Sequence, residues 1–174
     1  MHDPVIDSAA PAAATRPLHN EDWGFDSNCF VCEPRNSGGL QIPFAHDASN
    51  DTVVASFTLG PRFSGAPSYV HGGITLAVLD EAMAWATIAV GGKFAVTVNT
   101  STRFLRPVLV GKEHVVEARL CAQNEECIET AAVIRDPDGK VCAETTASFA
   151  VLGAAQAVKA TGADASVLDP TYLK

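Results

Sequence analysis

The chain has 174 residues, 47% hydrophobic and 18% charged, which is room for a single domain with a sizeable core and excludes both two ordinary domains and disorder through its body. Its 12 Lys and Arg face 20 Asp and Glu, for a formal net charge of −8. That balance repels the phosphate backbone on which nucleic-acid affinity depends, so no nucleic acid is expected as a partner.

In chain order, Met1 to Asn28 is rich in Ala, Pro and polar residues without a sustained period, and reads as a flexible leader that docks, if at all, through Trp23 and Phe25. It carries Asp3 and Asp7 and lacks the basic start and apolar centre of a secretory signal, so a cytoplasmic location is expected. The domain proper is expected over 29–152. The five cysteines, an odd number, are read as reduced thiols. Cys29 and Cys32 have the spacing of a metal knuckle. A closed zinc site takes four ligands, however, and no second pair follows, so His46 or a partner chain would have to supply the rest. Neither a metal nor any other cofactor is expected.

Thr52 to Leu59 alternates Val53, Ala55, Phe57 and Leu59 with polar residues and predicts a half-buried strand ended by Gly60-Pro61. Ile74 to Val90 is apolar on nearly every side and stops at Gly91-Gly92, which predicts a long helix wrapped by other structure. Asp80 and Glu81 interrupt it, and a bilayer span needs roughly 20 mostly apolar residues, so no membrane crossing is expected. Four strands follow, over Phe94–Arg106, Glu113–Ala122, Cys127–Arg135 and Val141–Val151, the last two joined by the turn sequence Asp136-Pro137-Asp138-Gly139. Gly153 to Lys174 reads as a short helix or loose C-terminal tail. One helix has no partners for a bundle. The economical arrangement is α+β, a curved antiparallel sheet of about five to six strands wrapped around one long central helix.

The chemically suggestive residues are Tyr69-Val70-His71-Gly72-Gly73 at the helix entrance and Asp80 further along. A helix start carries unpaired amides and partial positive charge, so Gly72 and Gly73 can offer N–H donors to a developing oxyanion. Asp80 lies too far along to be a cap, and a carboxylate in an apolar setting is costly unless paired or facing a cavity. The run His71-Gly72-Gly73-Ile74, with Leu79-Asp80-Glu81-Ala82 and Arg103-Phe104-Leu105-Arg106-Pro107, resembles the hotdog-fold acyl-coenzyme A thioesterases of the phenylacetate-pathway type over roughly Cys29 to Leu152. Cys29-Phe30-Val31-Cys32 to Gly39-Leu40 also resembles a segment of a subset of that group.

The resemblance implies that Asp80 is the catalytic carboxylate, as nucleophile or as base for water. It implies that the Gly72 amide is the oxyanion donor, that His71 lies near the thioester carbonyl and that Thr97 positions water. The acyl-CoA is the implied substrate. An Asn that some relatives carry six residues before the histidine is Gly65 here. Gly73 is a further candidate substrate contact, and the guanidinium groups of Arg103 and Arg106 are candidates to grip coenzyme A phosphates, with plain surface charge as the alternative. Thr97 equally reads as an ordinary cross-strand hydroxyl, Glu81 as a salt-bridge or interface residue, and Met83 and Trp85 as core.

Gly72 and Asp80 are eight residues apart, about 12 Å along a helix. A reacting carbonyl must lie ~3 Å from both its attacking group and its oxyanion donors, so joint catalysis by these two residues requires different subunits. A homodimer or dimer of dimers is therefore expected, as in the family. Two rivals stand beside hydrolysis: a hotdog hydratase or dehydratase of enoyl or hydroxyacyl thioesters, and a noncatalytic acyl-CoA-binding module.

Overall fold

A computed structural model describes residues 15–174, so the first half of the expected leader lies outside the described residues. The chain runs β1 (Thr15–Pro17), β2 (Ala45–Asp47), β3 (Thr52–Thr58), β4 (Ser64–Ala66), β5 (Tyr69–Val70), α1 (Gly72–Ala89), β6 (Ala95–Phe104), β7 (Glu113–Gln123), β8 (Cys127–Arg135), β9 (Val141–Val151) and α2 (Ala154–Thr161). Every long strand falls within a residue or two of the segment expected for it. β8 and β9 turn at Asp136–Gly139, where Gly139 supplies a φ of +78° and the Asp136 carboxylate accepts from the amides of Asp138 and Lys140.

The strands form one antiparallel sheet in the order β1-β2-β3-β7-β8-β9-β6, with β4-β5 as a separate ribbon. α1 carries the chain from the β3 side of this sheet to β6 at the far edge and packs against β3, β6, β7, β8 and β9. Its Val78, Leu79, Ala82, Met83 and Ala86 are fully buried, against Val53, Val116, Ile128, Ile134 and Phe149 of the sheet's inner face. This wrapping accounts for a helix apolar on all sides, which by length and composition alone would also suit a bilayer.

The sheet has seven strands where about five to six were expected, because β1 and β2 are three-residue pieces, Thr-Arg-Pro and Ala-His-Asp, too short to show a period. From Thr15 onward the segment read as a flexible leader is built into the molecule. β1 pairs with β2, Leu18 and Trp23 are buried, and the Trp23 ring packs 5.4 Å from Trp85 of α1 and 6.4 Å from Tyr172. Phe25 meets Phe94 at 5.9 Å. The C-terminal segment returns to the same cluster, with Leu168 buried, Tyr172 5.5 Å from Phe94 and Lys174 paired to Glu126. Apolar residues spaced irregularly along a polar segment do this without leaving a periodic trace. Trp23→Ala is accordingly expected to lower the unfolding free energy by about 3 kcal/mol, read as a fall in the urea midpoint at unchanged slope. An unchanged midpoint would place residues 15–28 outside the cooperative unit.

Candidate active site

The chain enters α1 through the β4-β5 ribbon, and the His71 amide donates to the Phe63 carbonyl at 2.9 Å. His71 is the N-cap, with φ −59° and ψ 137°, and its Nδ1 accepts the Gly73 amide at 2.9 Å. This fixes the tautomer, since an accepting Nδ1 carries no proton. Gly73, a candidate substrate contact, therefore has its N–H committed to the cap. The Gly72 N–H belongs to the first turn, where no intrahelical acceptor exists, and none is found for it among the described residues. Gly65 lies against this cap: a Cβ there would stand 3.1 Å from the His71 Cα and 3.2 Å from its Cδ2. Any side chain at this position needs His71 to give by a few tenths of an ångström.

Asp80, two turns along α1, is only partly buried and faces β6 rather than the deep core. Thr97 Oγ1 donates to Asp80 Oδ1 at 2.8 Å, so one carboxylate oxygen is held, while Oδ2 has no partner among the described residues. Thr97 stands opposite Phe149 on the helix side of the sheet.

A bulge between Thr97 and Asn99 then shifts the register by one residue, so that Thr100, Thr102 and Phe104 rather than Ser101 and Arg103 share the face of Thr97. Phe104 is thereby laid over the helix start, where a Cβ on Gly72 would find its ring at 3.9 Å. Arg103 is turned to the outer face, opposite Glu144, whose carboxylate it binds at 2.9 Å. Arg106 lies beyond the strand. It donates to the Val141 carbonyl at 2.8 Å and borders a groove of about 360 Å3 with Tyr69, Gly72, Thr75 and Phe104. The two arginines therefore lie in different places. Arg106 is beside the helix start, whereas Arg103 lies in a shallow outer depression with Glu117, Arg119 and Arg135.

Glu81 makes no ion pair among the described residues. Instead its Oε1 lies 3.3 Å from the Cys29 sulfur, across 52 residues of sequence. Burial, joined by the charge of Cys29, pushes the Glu81 carboxyl up to about 8. Hydrogen bonding from Cys32 holds the Cys29 thiol down at about 5 against the opposing effect of burial, and the same contact pushes Cys32 up. The Cys-x-x-Cys spacing was visible in the sequence, but nothing local pointed to Glu81 as the group it meets. His46, the other residue weighed for the cysteine pair, faces Asp51 at 3.2 Å instead.

The family model described as the thioesterase superfamily matches residues 68–143. No curated protein matches the chain. Among solved structures, the chain is similar to a thioesterase superfamily protein at 30% identity, over 81% of this chain and 69% of that one, with a TM-score of 0.68. It is also similar to a putative thioesterase of Ralstonia eutropha JMP134, a phenylacetic acid degradation-related protein, at 26% identity over 68% and 91% of the two chains, TM-score 0.59. A Streptococcus mutans protein bound to acetyl CoA shares the fold at 17% identity, over 59% and 82%, TM-score 0.56.

Proposed function

Since this chain belongs to the thioesterase superfamily, with its hotdog fold, we propose that it hydrolyses the thioester bond of an acyl- or aryl-coenzyme A at sites shared between two subunits. The observation that carries this reading is the Asp80 carboxylate, held at one oxygen by Thr97 and left with the other unpaired. That oxygen attacks the thioester carbon or takes a proton from the attacking water. Charge developing on the carbonyl oxygen is met by the uncommitted Gly72 amide at the positive end of a partner's α1, beside His71. The tetrahedral intermediate collapses and the thiolate of coenzyme A leaves; where water attacked, the carboxylic acid is released directly, and where Asp80 attacked, water then cleaves the acyl-Asp80 anhydride to release the acid and restore the carboxylate.

The two-subunit arrangement follows from the ~12 Å that separates Gly72 from Asp80 along one helix. It is supported by β6, an edge strand of 10 residues whose rim is unpaired among the described residues, a feature that monomeric proteins usually shield. Val96 is 44% exposed, Val98 61% and Phe104 56%, so the rim is also apolar. Pairing two such edges, in a homodimer or in each half of a dimer of dimers, covers it and brings one protomer's Asp80 toward the other's helix start. Acetyl CoA in the Streptococcus mutans relative fits the same ligand class. Here Arg106 and the helix start give the groove a cationic rim suited to phosphates.

Thiol release across a panel of acyl- and aryl-CoA esters tests the proposal. The expected result is turnover of at least one class, together with free thiol rather than hydrated product from crotonyl-CoA. Hydration without thiol release would reassign the site to the hydratase chemistry, and tight binding without turnover would make it a binding module.

A further inference from the structure

We infer that Cys29, Cys32 and Glu81 form a site for one zinc-class divalent ion, which ties the N-terminal turn to the central helix. The proposal is independent of the thioesterase reading. The two sulfur atoms and a Glu81 oxygen all lie within 4.8 Å of one another, and the Cys29 Sγ to Glu81 Oε1 separation is 3.3 Å. An ion with bonds of about 2.3 Å to sulfur and about 2.0 Å to oxygen at tetrahedral angles sets that edge at about 3.5 Å. The Cys29–Glu81 edge is within a few tenths of an ångström of that value, and the remaining edges lie within 4.8 Å.

Chemistry points the same way. Two thiols and a carboxyl are three groups that become anions, and Asp80 adds a fourth acid next door. None of the three is ion-paired among the described residues, and nearby Arg35 is engaged by Glu21, Asp26 and Glu33. A dication binding here displaces the protons these groups otherwise keep and balances the anions that result, and thiolate ligands select zinc over magnesium or calcium.

The turn is already shaped as a knuckle. The Val31 amide donates to Cys29 Sγ at 3.3 Å, the Glu33 amide to the Cys29 carbonyl at 3.4 Å, and the turn is clamped by Leu40 N–H to Phe30 and Ile42 N–H to Val31. Cys32 also borders a cavity of about 180 Å3 shared with His19, Asn20 and Trp85. The buried Trp85 indole N–H has no partner among the described residues and Trp85 borders the same cavity, from which a water would complete the tetrahedron. The missing ligands that made a metal unexpected from the sequence are thus a helix carboxylate and solvent.

The test uses the full-length protein, reduced, stripped with a chelator and dialysed against Zn2+ or Co2+. Wild type is expected to retain one Zn2+ per chain by mass spectrometric metal analysis and, with Co2+, to show a thiolate-to-cobalt charge-transfer band. Cys32→Ser is expected to lose the band and to bind zinc more than about 100-fold more weakly, beyond the 10- to 100-fold that outer-shell partners carry. Glu81→Gln keeps the thiolates and the band but weakens zinc. Cys121→Ser, at an exposed cysteine away from the cluster, retains wild-type stoichiometry. Wild type that takes up no zinc after reduction would overturn the proposal, as would undiminished binding in Cys32→Ser. The wild-type readings decide the matter even if a variant misfolds.

Discussion

Asp80→Asn is expected to lower kcat for thioester hydrolysis by about 10²- to 10⁴-fold, the range carried by a positioned acid or base, with no change in Tm or oligomeric state. The substitution is nearly isosteric, and its remaining Oδ1 still accepts from Thr97, so that hydrogen bond survives. The nucleophilic and proton-accepting capacity of the second oxygen is what disappears. Thr97→Val makes the complementary change. It keeps the carboxylate but frees it to rotate, and the loss of one hydrogen bond of about 1 kcal/mol predicts roughly a fivefold fall in kcat. The two variants thus separate chemistry from positioning. Wild-type turnover in Asp80→Asn would remove the carboxylate from the mechanism, whatever Thr97→Val does.

Thr97 also shows how far the sequence could be read. The strands β3, β7, β8 and β9 and the helix α1 were legible because their periods, 2.0 and an all-round apolar run, are local properties. His71, Gly72 and Asp80 were legible as a motif, and their separation along the helix gave the two-subunit argument directly. What depends on register was not legible. In a regular strand Arg103, six residues after Thr97, would share its face, but the bulge between Thr97 and Asn99 reverses the alternation and sends Arg103 to Glu144 on the outer side. Only Arg106 is left beside the helix start. The same limit hid the contact between Glu81 and Cys29: each residue is ordinary in its own stretch, and their meeting depends on how residues 29–32 fold onto α1.

Mixing two inactive variants is expected to restore activity, and this tests the shared site more sharply than either variant alone. Gly72→Pro deletes the proposed oxyanion donor at a position that tolerates it. Proline suits the first residue of a helix, and the preceding residue His71 already has the extended φ of −59° and ψ of 137° that proline requires. A Cβ at residue 72 meets Phe104 only at ordinary contact distance, 3.9 Å. The expected loss in kcat is about 10²- to 10³-fold, the cost of removing one such donor, with the fold retained.

When Gly72→Pro and Asp80→Asn subunits are co-expressed in equal amounts with different tags, half the dimers are mixed. In each mixed dimer one site combines both defects, and the other joins an intact Asp80 to an intact Gly72 across the two-fold. Recovery to about a quarter of wild-type turnover follows from that symmetry. A subunit carrying both substitutions makes the converse check, because it disables both sites of any dimer it enters. Mixed equally with wild type, it should leave about a quarter of the activity rather than a half. Subunit exchange confirmed by the tags, with no recovery in the first mixture and half the activity in the second, would mean that each chain works alone and that the helix start and Asp80 do not act on the same carbonyl.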